Sequence, residues 1–309
     1  MTGITKVGMI GLSEGNGHPF SFSSIINCYS DSGLAASGWP VIYDYVRRRD
    51  QSEFGIDGLK VTHAWTQDKD ITKRLCDACL IPNAVSDWKE MISDVDAAII
   101  ARDDYENHFL MAIPFLEAGK HVFVDKPLSL DINELKSLRP YLENGQLMSC
   151  SGMRYAKELD EVRANINEYG ELRMIRGAIL NSWEKYGVHL LYAIGSFIKA
   201  KPVSVVCLEA THMSISVRME DGLLMQLDAL DQCPRCFRVE VFGSKLISSH
   251  EILDNFSMFR RMLWHFSDLI KNGKKDIGAE ETIDIMKTLM AGRISKKEKR
   301  EVYLNEFQL

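Results

Sequence analysis

Two polar clusters in the middle of the chain each follow directly on a short apolar run. Residues 102–108 come after the run at 96–101, and Asp125-Lys126-Pro127 comes after the run at 121–124. Both runs have the Val/Ile character of buried parallel strands, and the residues between them repeat at helical spacing. In an open α/β sheet, ligands bind beyond the carboxyl ends of the strands. The two clusters are therefore predicted to line a ligand site.

A glycine-rich loop follows the first predicted strand, residues 4–11. Its small or polar members lead into apolar residues at helical spacing; they are Gly11, Ser13, Gly15, Gly17 and His18. A strand, a small-residue loop and a helix N-terminus together can cradle a pyrophosphate. The dinucleotide fingerprint G-x-G-x-x-G is not matched, because Ser13 stands at the second glycine and the loop is longer. Taken alone, the loop fits a nucleotide cradle and an ordinary tight turn equally.

The end of the second predicted strand, residues 59–66, bears on the choice of cofactor. An acidic residue there would hold the adenosine ribose hydroxyls of a dinucleotide. Thr66 occupies the usual place, and Asp68 follows two residues later. Both are candidate cofactor contacts, and the preference between NAD and NADP stays open.

The order of predicted elements indicates two domains. Strands and helices alternate up to Gly152, which predicts an α/β domain with a doubly wound parallel sheet over residues 1–152, with an insertion at about 31–58. Residues 153–309 begin with helices and continue with sequential strands. This pattern predicts a C-terminal α+β domain with an open, mainly antiparallel sheet. One face of that sheet needs a cover, and another subunit is the expected one.

Composition excludes several classes of protein. With 46% hydrophobic and 26% charged residues the chain is typical of a soluble globular protein, and its net charge of −6 gives no sign of a nucleic-acid partner. It has no apolar run long enough to span a membrane and no signal peptide, so we expect a cytoplasmic protein. The seven cysteines include two C-x-x-C pairs, Cys76/Cys79 and Cys233/Cys236. We expect free thiols and no metal site, since nothing in the order of elements brings the pairs together.

Residues 96–127 resemble the Gfo/Idh/MocA oxidoreductase family, whose members are related to glucose–fructose oxidoreductase and inositol dehydrogenase. The family pattern is an apolar strand, a Thr-Pro-Asn-x-x-His loop, Ala-Gly-Lys-His-Val and Glu-Lys-Pro. This chain has Glu106-Asn107-His108, Ala118-Gly119-Lys120-His121-Val122 and Asp125-Lys126-Pro127 at matching places. The resemblance implies a Rossmann domain that binds NAD or NADP. It also implies a second domain whose sheet mediates a homo-oligomer, such as a dimer or tetramer.

The resemblance further implies hydride transfer to or from a carbohydrate-like small molecule: a sugar, a polyol or a nucleotide-linked sugar. Lys126 matches the family lysine beside nicotinamide and substrate, and His189 matches the catalytic histidine. The alternatives are a solvent-exposed lysine at a strand end and a histidine satisfied in the core. Candidate cofactor contacts near these residues are Arg102, Asp103, Asp125 and Lys126 itself. Candidate substrate contacts are Arg154, Tyr155, Trp183, Glu184 and His189.

Two departures from the family pattern leave alternatives open. The family often places an aspartate four residues before the catalytic histidine, and here that position is Lys185, followed by Tyr186. A second lysine near Lys126 would favour anionic substrates or a lowered lysine pKa. Tyr186 is a further candidate proton donor, so both residues are candidate catalytic residues. The Thr-Pro-Asn place reads Arg102-Asp103-Asp104. The alternatives to a dehydrogenase are a non-catalytic dinucleotide-binding sensor or partner subunit, and redox-assisted elimination or hydrolysis.

Overall fold

The computed structural model describes residues 3–308, which form two compact units. The first unit contains the chain up to Ser129 together with Ser137–Ser149 and Phe259–Gly278. The second contains Leu130–Lys136, Cys150–Met258 and the chain from Ala279 onward. The predicted domain boundary after residue 152 stays a prediction, since this division is not a single cut in the sequence.

The first unit is built on a six-stranded parallel sheet. Its strands are β1 (Thr5–Ile10), β2 (Leu59–Trp65), β3 (Asn83–Ala84), β4 (Ala97–Ile100), β5 (His121–Val124) and β6 (Leu147–Ser149). Their order is β3-β2-β1-β4-β5-β6, and every neighbouring pair is parallel. The predicted doubly wound sheet of the Rossmann type is confirmed. The strand order reverses between β1 and β4, where ligands bind in such sheets.

Helices connect the strands of the first unit, and the second unit also contains helices. They are α1 (His18–Asn27), α2 (Asp31–Ala35), α3 (Pro40–Arg47), α4 (Lys69–Cys79), α5 (His108–Glu117), α6 (Ile132–Asn144), α7 (Asp160–Asn165), α8 (Val188–Gly195), α9 (Asn255–Asn272) and α10 (Ala279–Glu298). Helices α2 and α3 occupy the predicted insertion at 31–58. Ser21 and Ser23 lie buried inside α1. No helix within residues 3–308 is long and apolar enough to cross a membrane.

Burial on both faces explains why the central strands read as continuous apolar runs. All four residues of β4 are buried, as is usual for parallel strands covered by helices on each side. Aromatic rings continue this core: Phe123 of β5 lies 6.3 Å from Phe22 and 5.8 Å from Phe266, measured between ring centroids. Phe266 belongs to the later part of α9, so this helix supplies part of the first unit's core.

The second unit contains a seven-stranded mixed sheet. Its strands are β7 (Leu172–Ile179), β8 (Pro202–Leu208), β9 (Met213–Met219), β10 (Leu224–Ala229), β11 (Phe237–Gly243), β12 (Ile247–Glu251) and β13 (Val302–Tyr303), in the order β12-β11-β7-β10-β9-β8-β13. Every pairing except that of β7 with β10 is antiparallel, so the predicted mainly antiparallel sheet is confirmed. Strand β12 was not predicted, because its sequence, ISSHE, is polar and alternates only between exposed and half-buried.

Candidate active site

Lys126 lies immediately beyond the carboxyl end of β5 and is buried. Its relative exposure is 3%, and that of the preceding Asp125 is 2%. The Lys126 backbone N–H donates a hydrogen bond of 2.9 Å to Asp125 Oδ1. The alternative of a lysine standing in solvent at a strand end is therefore wrong for Lys126.

Side chains of the glycine-rich loop reach the ends of β4 and β5. Ser13 Oγ donates to Asp103 Oδ1 at 2.6 Å and accepts from the Asp103 backbone N–H at 3.0 Å. Asn16 Nδ2 donates to Asp125 Oδ2 at 3.1 Å, and His18 Nδ1 lies 2.5 Å from the same oxygen. The loop is thus held by contacts among five side chains: those of Ser13, Asn16 and His18, and those of Asp103 and Asp125 at the two strand ends.

The charge of Asp125 is stabilised by this arrangement. Burial alone would raise the pKa of the carboxyl group. The nearby His18 ring, through its charge and its hydrogen bond, and the charge of Lys126 together hold the Asp125 pKa well below its usual range. The His18 ring is itself fixed, since it stacks on Phe22 with a centroid separation of 4.8 Å. Asp125 is therefore a carboxylate at neutral pH.

Two glycines of the loop have positions that explain their residue type. Gly15 has a φ of 77°, in the left-handed region that favours glycine, and open space lies where its side chain would be. At Gly17 a Cβ atom would lie 2.5 Å from Ile42 and 2.6 Å from the Trp39 ring, so the loop packs closely against α3 and the residue before it. Gly11 lies at the end of β1. Helix α3 of the predicted insertion and the preceding Trp39 thus support this loop.

The loop after β4 is held by its own charges and by one histidine. Arg102 is buried and forms an ion pair with Asp104, with a distance of 2.7 Å from Nε to Oδ1. His108 is completely buried, and its two ring nitrogens face carbonyl oxygens at both strand ends: Nδ1 lies 2.8 Å from that of Pro127, and Nε2 lies 3.0 Å from that of Arg102. Burial lowers the His108 pKa. His108 is a residue of the family motif, and in the structure it joins the Arg102 and Lys126 segments.

The residues after β2 are occupied by local contacts. Asp68 is the N-cap of α4, and its Oδ1 accepts from the backbone N–H groups of Asp70 and Ile71 at 2.8 and 3.1 Å. Thr66 is buried and donates to the Asp68 carbonyl oxygen at 2.7 Å. Gln67 binds the glycine-rich loop through the Leu12 backbone, whose N–H donates to Gln67 Oε1 at 2.7 Å. The structure thus gives Thr66 and Asp68 structural contacts, and their predicted role at the ribose stays a prediction.

In the second unit, His189 lies in the first turn of α8 and is held by a serine. Ser151 Oγ lies 2.6 Å from His189 Nδ1, and both residues are buried. Ser151 also accepts from the Met153 backbone N–H at 3.1 Å. No motif drew attention to Ser151, because it is separated from His189 by 38 residues in the sequence.

A wide π-helical turn, Trp183–Gly187, precedes α8 and changes which residues lie near His189. Lys185 is exposed, whereas the Tyr186 ring makes an edge contact with the His189 ring at 5.2 Å between centroids. The expectation that a residue four positions before His189 shares its face depends on regular α-helical spacing, which the π turn interrupts. Among the predicted catalytic residues of this turn, the structure therefore brings Tyr186 to His189.

Several predicted substrate residues have structural partners. Trp183 is fully buried in the core and its indole N–H donates to the Leu289 carbonyl oxygen at 3.1 Å, and its predicted contact with substrate stays a prediction. Arg154 is buried and forms an ion pair with Glu281, with Nη2 3.4 Å from Oε2. Tyr155 is buried and Glu184 is half-buried. Substrate contacts of Arg154, Tyr155 and Glu184 stay predictions.

The cysteines are free thiols. Burial raises the pKa of Cys76 to about 11 and that of Cys79 to about 12, so this pair consists of inert, protonated thiols. Within residues 3–308 no three His, Cys, Asp or Glu side chains form a group that could hold a metal ion.

Comparison with known proteins bears directly on the segment that contains Lys126. Residues 38–150 match the profile of the Gfo/Idh/MocA oxidoreductase family, which has an NAD-binding Rossmann fold. This match confirms the predicted resemblance. Among curated proteins, YceM of Salmonella typhimurium, whose full name includes the word oxidoreductase, is 27% identical over 119 residues. That alignment spans 38% of this chain and only 38% of YceM.

Solved structures agree in fold over nearly the whole chain. Myo-inositol 2-dehydrogenase from Lactobacillus plantarum has a TM-score of 0.77 at 16% identity, with 97% of this chain and 99% of that one covered. Scyllo-inositol dehydrogenase from Lactobacillus casei, with bound NAD(H) and scyllo-inositol, has a TM-score of 0.75 at 16% identity and coverage of 98% and 99%. At this identity the likeness shows the fold. The profile match over residues 38–150 agrees with the predicted oxidoreductase class and nicotinamide cofactor.

The first unit offers groups that fit a dinucleotide, although its glycine-rich loop lies outside the matched residues. Helix α1 begins directly behind the loop, and Gly15 borders open space there. Arg102 Nη1 is a buried donor that lacks a hydrogen-bond partner among residues 3–308, so an acceptor on a ligand would satisfy it. In one respect the loop departs from a simple cradle. The backbone N–H groups of Leu12 and His18 already donate to the side chains of Gln67 and Asn16.

Substitution of Asp68 separates its capping role from the predicted ribose contact. Asp68→Asn keeps a side-chain oxygen for the cap and removes the charge, whereas Asp68→Ala removes both. We expect the Asn variant to match the wild type in unfolding midpoint and in affinity for NAD and NADP. The Ala variant should lose about 1 kcal/mol of stability. Urea denaturation and titration calorimetry measure these quantities. Weaker NAD binding by Asp68→Asn would instead support the ribose contact.

The ion pair of Asp125 predicts how stability depends on pH. The folded-state pKa lies below the ordinary value of 3.8, so the ionised group stabilises the fold above that value, and this contribution is lost as the pH falls through the folded pKa. In Asp125→Asn we expect about 1–3 kcal/mol less stability at neutral pH and a shallower decline on acidification. Thermal unfolding as a function of pH measures both, with the exposed Asp77→Asn as control. Parallel pH curves for wild type and Asp125→Asn would contradict the prediction.

Proposed function

We propose that this protein is an NAD(P)-dependent oxidoreductase that oxidises or reduces a CH–OH group of a sugar, polyol or nucleotide-linked sugar. The observation that carries the proposal is the burial of Lys126 at the end of β5, inside the segment that matches an NAD-binding oxidoreductase family. A buried ammonium group needs compensation, and the neighbouring Asp125 carboxylate provides a negative charge. A buried lysine at a strand end where ligands bind indicates a catalytic or ligand-binding role rather than that of a surface residue.

The resemblance to the Gfo/Idh/MocA family implies that Lys126 and His189 act on the substrate hydroxyl group. A bound nicotinamide supplies the hydride acceptor when an alcohol is oxidised. Lys126 would donate a hydrogen bond to the substrate hydroxyl oxygen and stabilise negative charge that develops on it. His189, whose Nδ1 faces Ser151, would take the hydroxyl proton at Nε2. The products are a carbonyl compound, the reduced nicotinamide and one proton; in the reverse direction His189 returns that proton.

One observation favours the second candidate, a non-catalytic dinucleotide-binding protein of the same fold. The family carboxylate that precedes the catalytic histidine is replaced by Lys185, and Lys185 is exposed. A protein that binds the cofactor but shows no turnover with any alcohol or carbonyl compound would fit this candidate.

The test of the proposal combines binding and turnover. Titration calorimetry with NAD, NADH, NADP and NADPH is followed by a screen of inositols, sugars and nucleotide sugars at the nicotinamide absorbance. Lys126→Met and His189→Gln should each lower kcat by roughly 100- to 10,000-fold, the usual contribution of a positioned proton-transfer group, while cofactor affinity changes little in His189→Gln. Lys73→Met, at an exposed lysine of α4, is the control. Full activity in both site variants would refute the assigned roles, and absence of cofactor binding would refute the proposed function.

We also propose that the chain acts in the cytoplasm as a homo-oligomer. Free thiols at all seven cysteines suit a reducing compartment. On the open face of the second sheet, Arg176 of β7 stands opposite Glu240 of β11, so two copies can align opposite charges across this face. Arg176→Glu should lower the mass found by analytical ultracentrifugation. Arg173→Glu, at an exposed arginine on the opposite face of the same strand, should not. A monomeric wild type would contradict the assembly.

A further inference from the structure

Ser151 occupies a position where its hydroxyl group has two fixed partners. It precedes a short 3-10 turn, Gly152–Tyr155, and caps it by accepting from the Met153 backbone N–H at 3.1 Å. The same Oγ atom lies 2.6 Å from His189 Nδ1. Relative exposure is 1% for Ser151 and 8% for His189, so water competes little for this contact. The cap fixes the serine, and the serine in turn fixes the imidazole ring.

The hydrogen-bonding capacity of a hydroxyl group limits how this pair can work. Serine has one hydrogen and two lone pairs, and one lone pair is used by Met153. An imidazolium ring carries hydrogens on both nitrogens, so protonated His189 must donate from Nδ1 to the remaining lone pair of Ser151. If the same bond persists in the neutral ring, Nδ1 keeps its hydrogen and Nε2 carries the lone pair. That is the tautomer a general base needs when the reacting group is at Nε2.

The position at which the family pattern often has an aspartate is occupied by a lysine in this chain. The position four residues earlier is Lys185, which is exposed beyond the π turn. The Tyr186 ring contacts the His189 ring by its edge, at 5.2 Å between centroids. A ring contact of this kind restrains the imidazole but does not select its tautomer. Among these neighbours, the hydroxyl group of Ser151 is the one aimed at Nδ1.

We propose that Ser151 is the positioning residue for His189, holding the ring with Nδ1 protonated so that proton exchange with substrate takes place at Nε2. Ser151, which lies in an earlier segment of the chain, provides a hydrogen-bond acceptor for the ring. The family pattern instead has an aspartate four residues before the histidine. Because the partner is neutral, it orients the ring without adding negative charge. This inference rests on the proposed function for its meaning in catalysis, but its structural part can be tested without any substrate.

The first test observes the imidazole directly. Protein labelled with ¹⁵N-histidine is studied by long-range ¹H–¹⁵N correlation spectra, with His189→Gln used to assign the signals of His189. We expect neutral His189 in the wild type to be a single tautomer protonated at Nδ1. Ser151→Ala should give a mixture of tautomers, and Ser151→Thr, which keeps the hydroxyl group, should retain the wild-type signals. Ser295→Ala is the matched control, since Ser295 is also buried with two hydrogen bonds to the Cys207 N–H and the Arg300 carbonyl oxygen.

The second test measures turnover with whichever substrate the screen yields. Loss of an orienting partner should lower kcat of Ser151→Ala by roughly 10- to 100-fold, with KM nearly unchanged and with recovery in Ser151→Thr. Unchanged signals of His189 in Ser151→Ala, or an unchanged kcat, would overturn the proposal. If the wild type shows no turnover at all, the proposed function fails while the spectra still decide the role of Ser151. The signals of the other histidines report whether each variant is folded.

Discussion

The buried carboxylate of Asp125 is the group on which the ligand side of the first unit depends. A buried charge without partners costs several kcal/mol, so the chain around Asp125 must supply them. Asn16 and His18 come from the glycine-rich loop, and the backbone N–H of Lys126 comes from the strand end itself. The same carboxylate therefore holds both the glycine-rich loop and the backbone of Lys126 in place. A loop that lacks the usual glycine spacing gains its shape from side chains.

A second set of contacts extends this network to β4. Ser13 binds Asp103, and His108 joins the carbonyl oxygens of Arg102 and Pro127. The carboxyl ends of β1, β4 and β5 are thus linked by buried hydrogen bonds, beside the point where the strand order reverses. Buried networks of this kind are rigid when their members are satisfied. Rigidity is useful here, because a proton-exchanging or polarising group contributes to a reaction only when its geometry is held.

Local patterns in the sequence predicted the architecture well, because parallel strands, helices and their order follow from periodicity alone. The polar clusters at 102–108 and 125–127 were also predictable, since strand ends are where ligands bind. Contacts between residues that are distant in the sequence were not predictable from local patterns. His18 and Asp125 are 107 residues apart, and no local rule links them. Asp68 is predicted to contact the ribose because of its place after β2, and the sequence did not indicate that its carboxylate also caps α4. Trp183 is predicted to contact substrate because of its neighbours, and the sequence did not indicate that it packs in the core. Lys185 was placed by assuming α-helical spacing, which fails across the π turn.

The missing aspartate before His189 need not mean that the chemistry is lost. The requirement on an orienting partner is an acceptor at Nδ1, placed so that the ring cannot rotate or exchange tautomers. A carboxylate meets it and also adds charge; a hydroxyl group fixed by a backbone cap meets it without charge. Ser151 has that geometry, and Tyr186 restrains the same ring from another side. The first unit shows the same kind of substitution, since Ser13 stands where the fingerprint has glycine and is satisfied by Asp103. In both places a polar group from a different segment of the chain fixes the geometry. This favours a site in which other residues have taken over these roles, rather than a site that has lost its function.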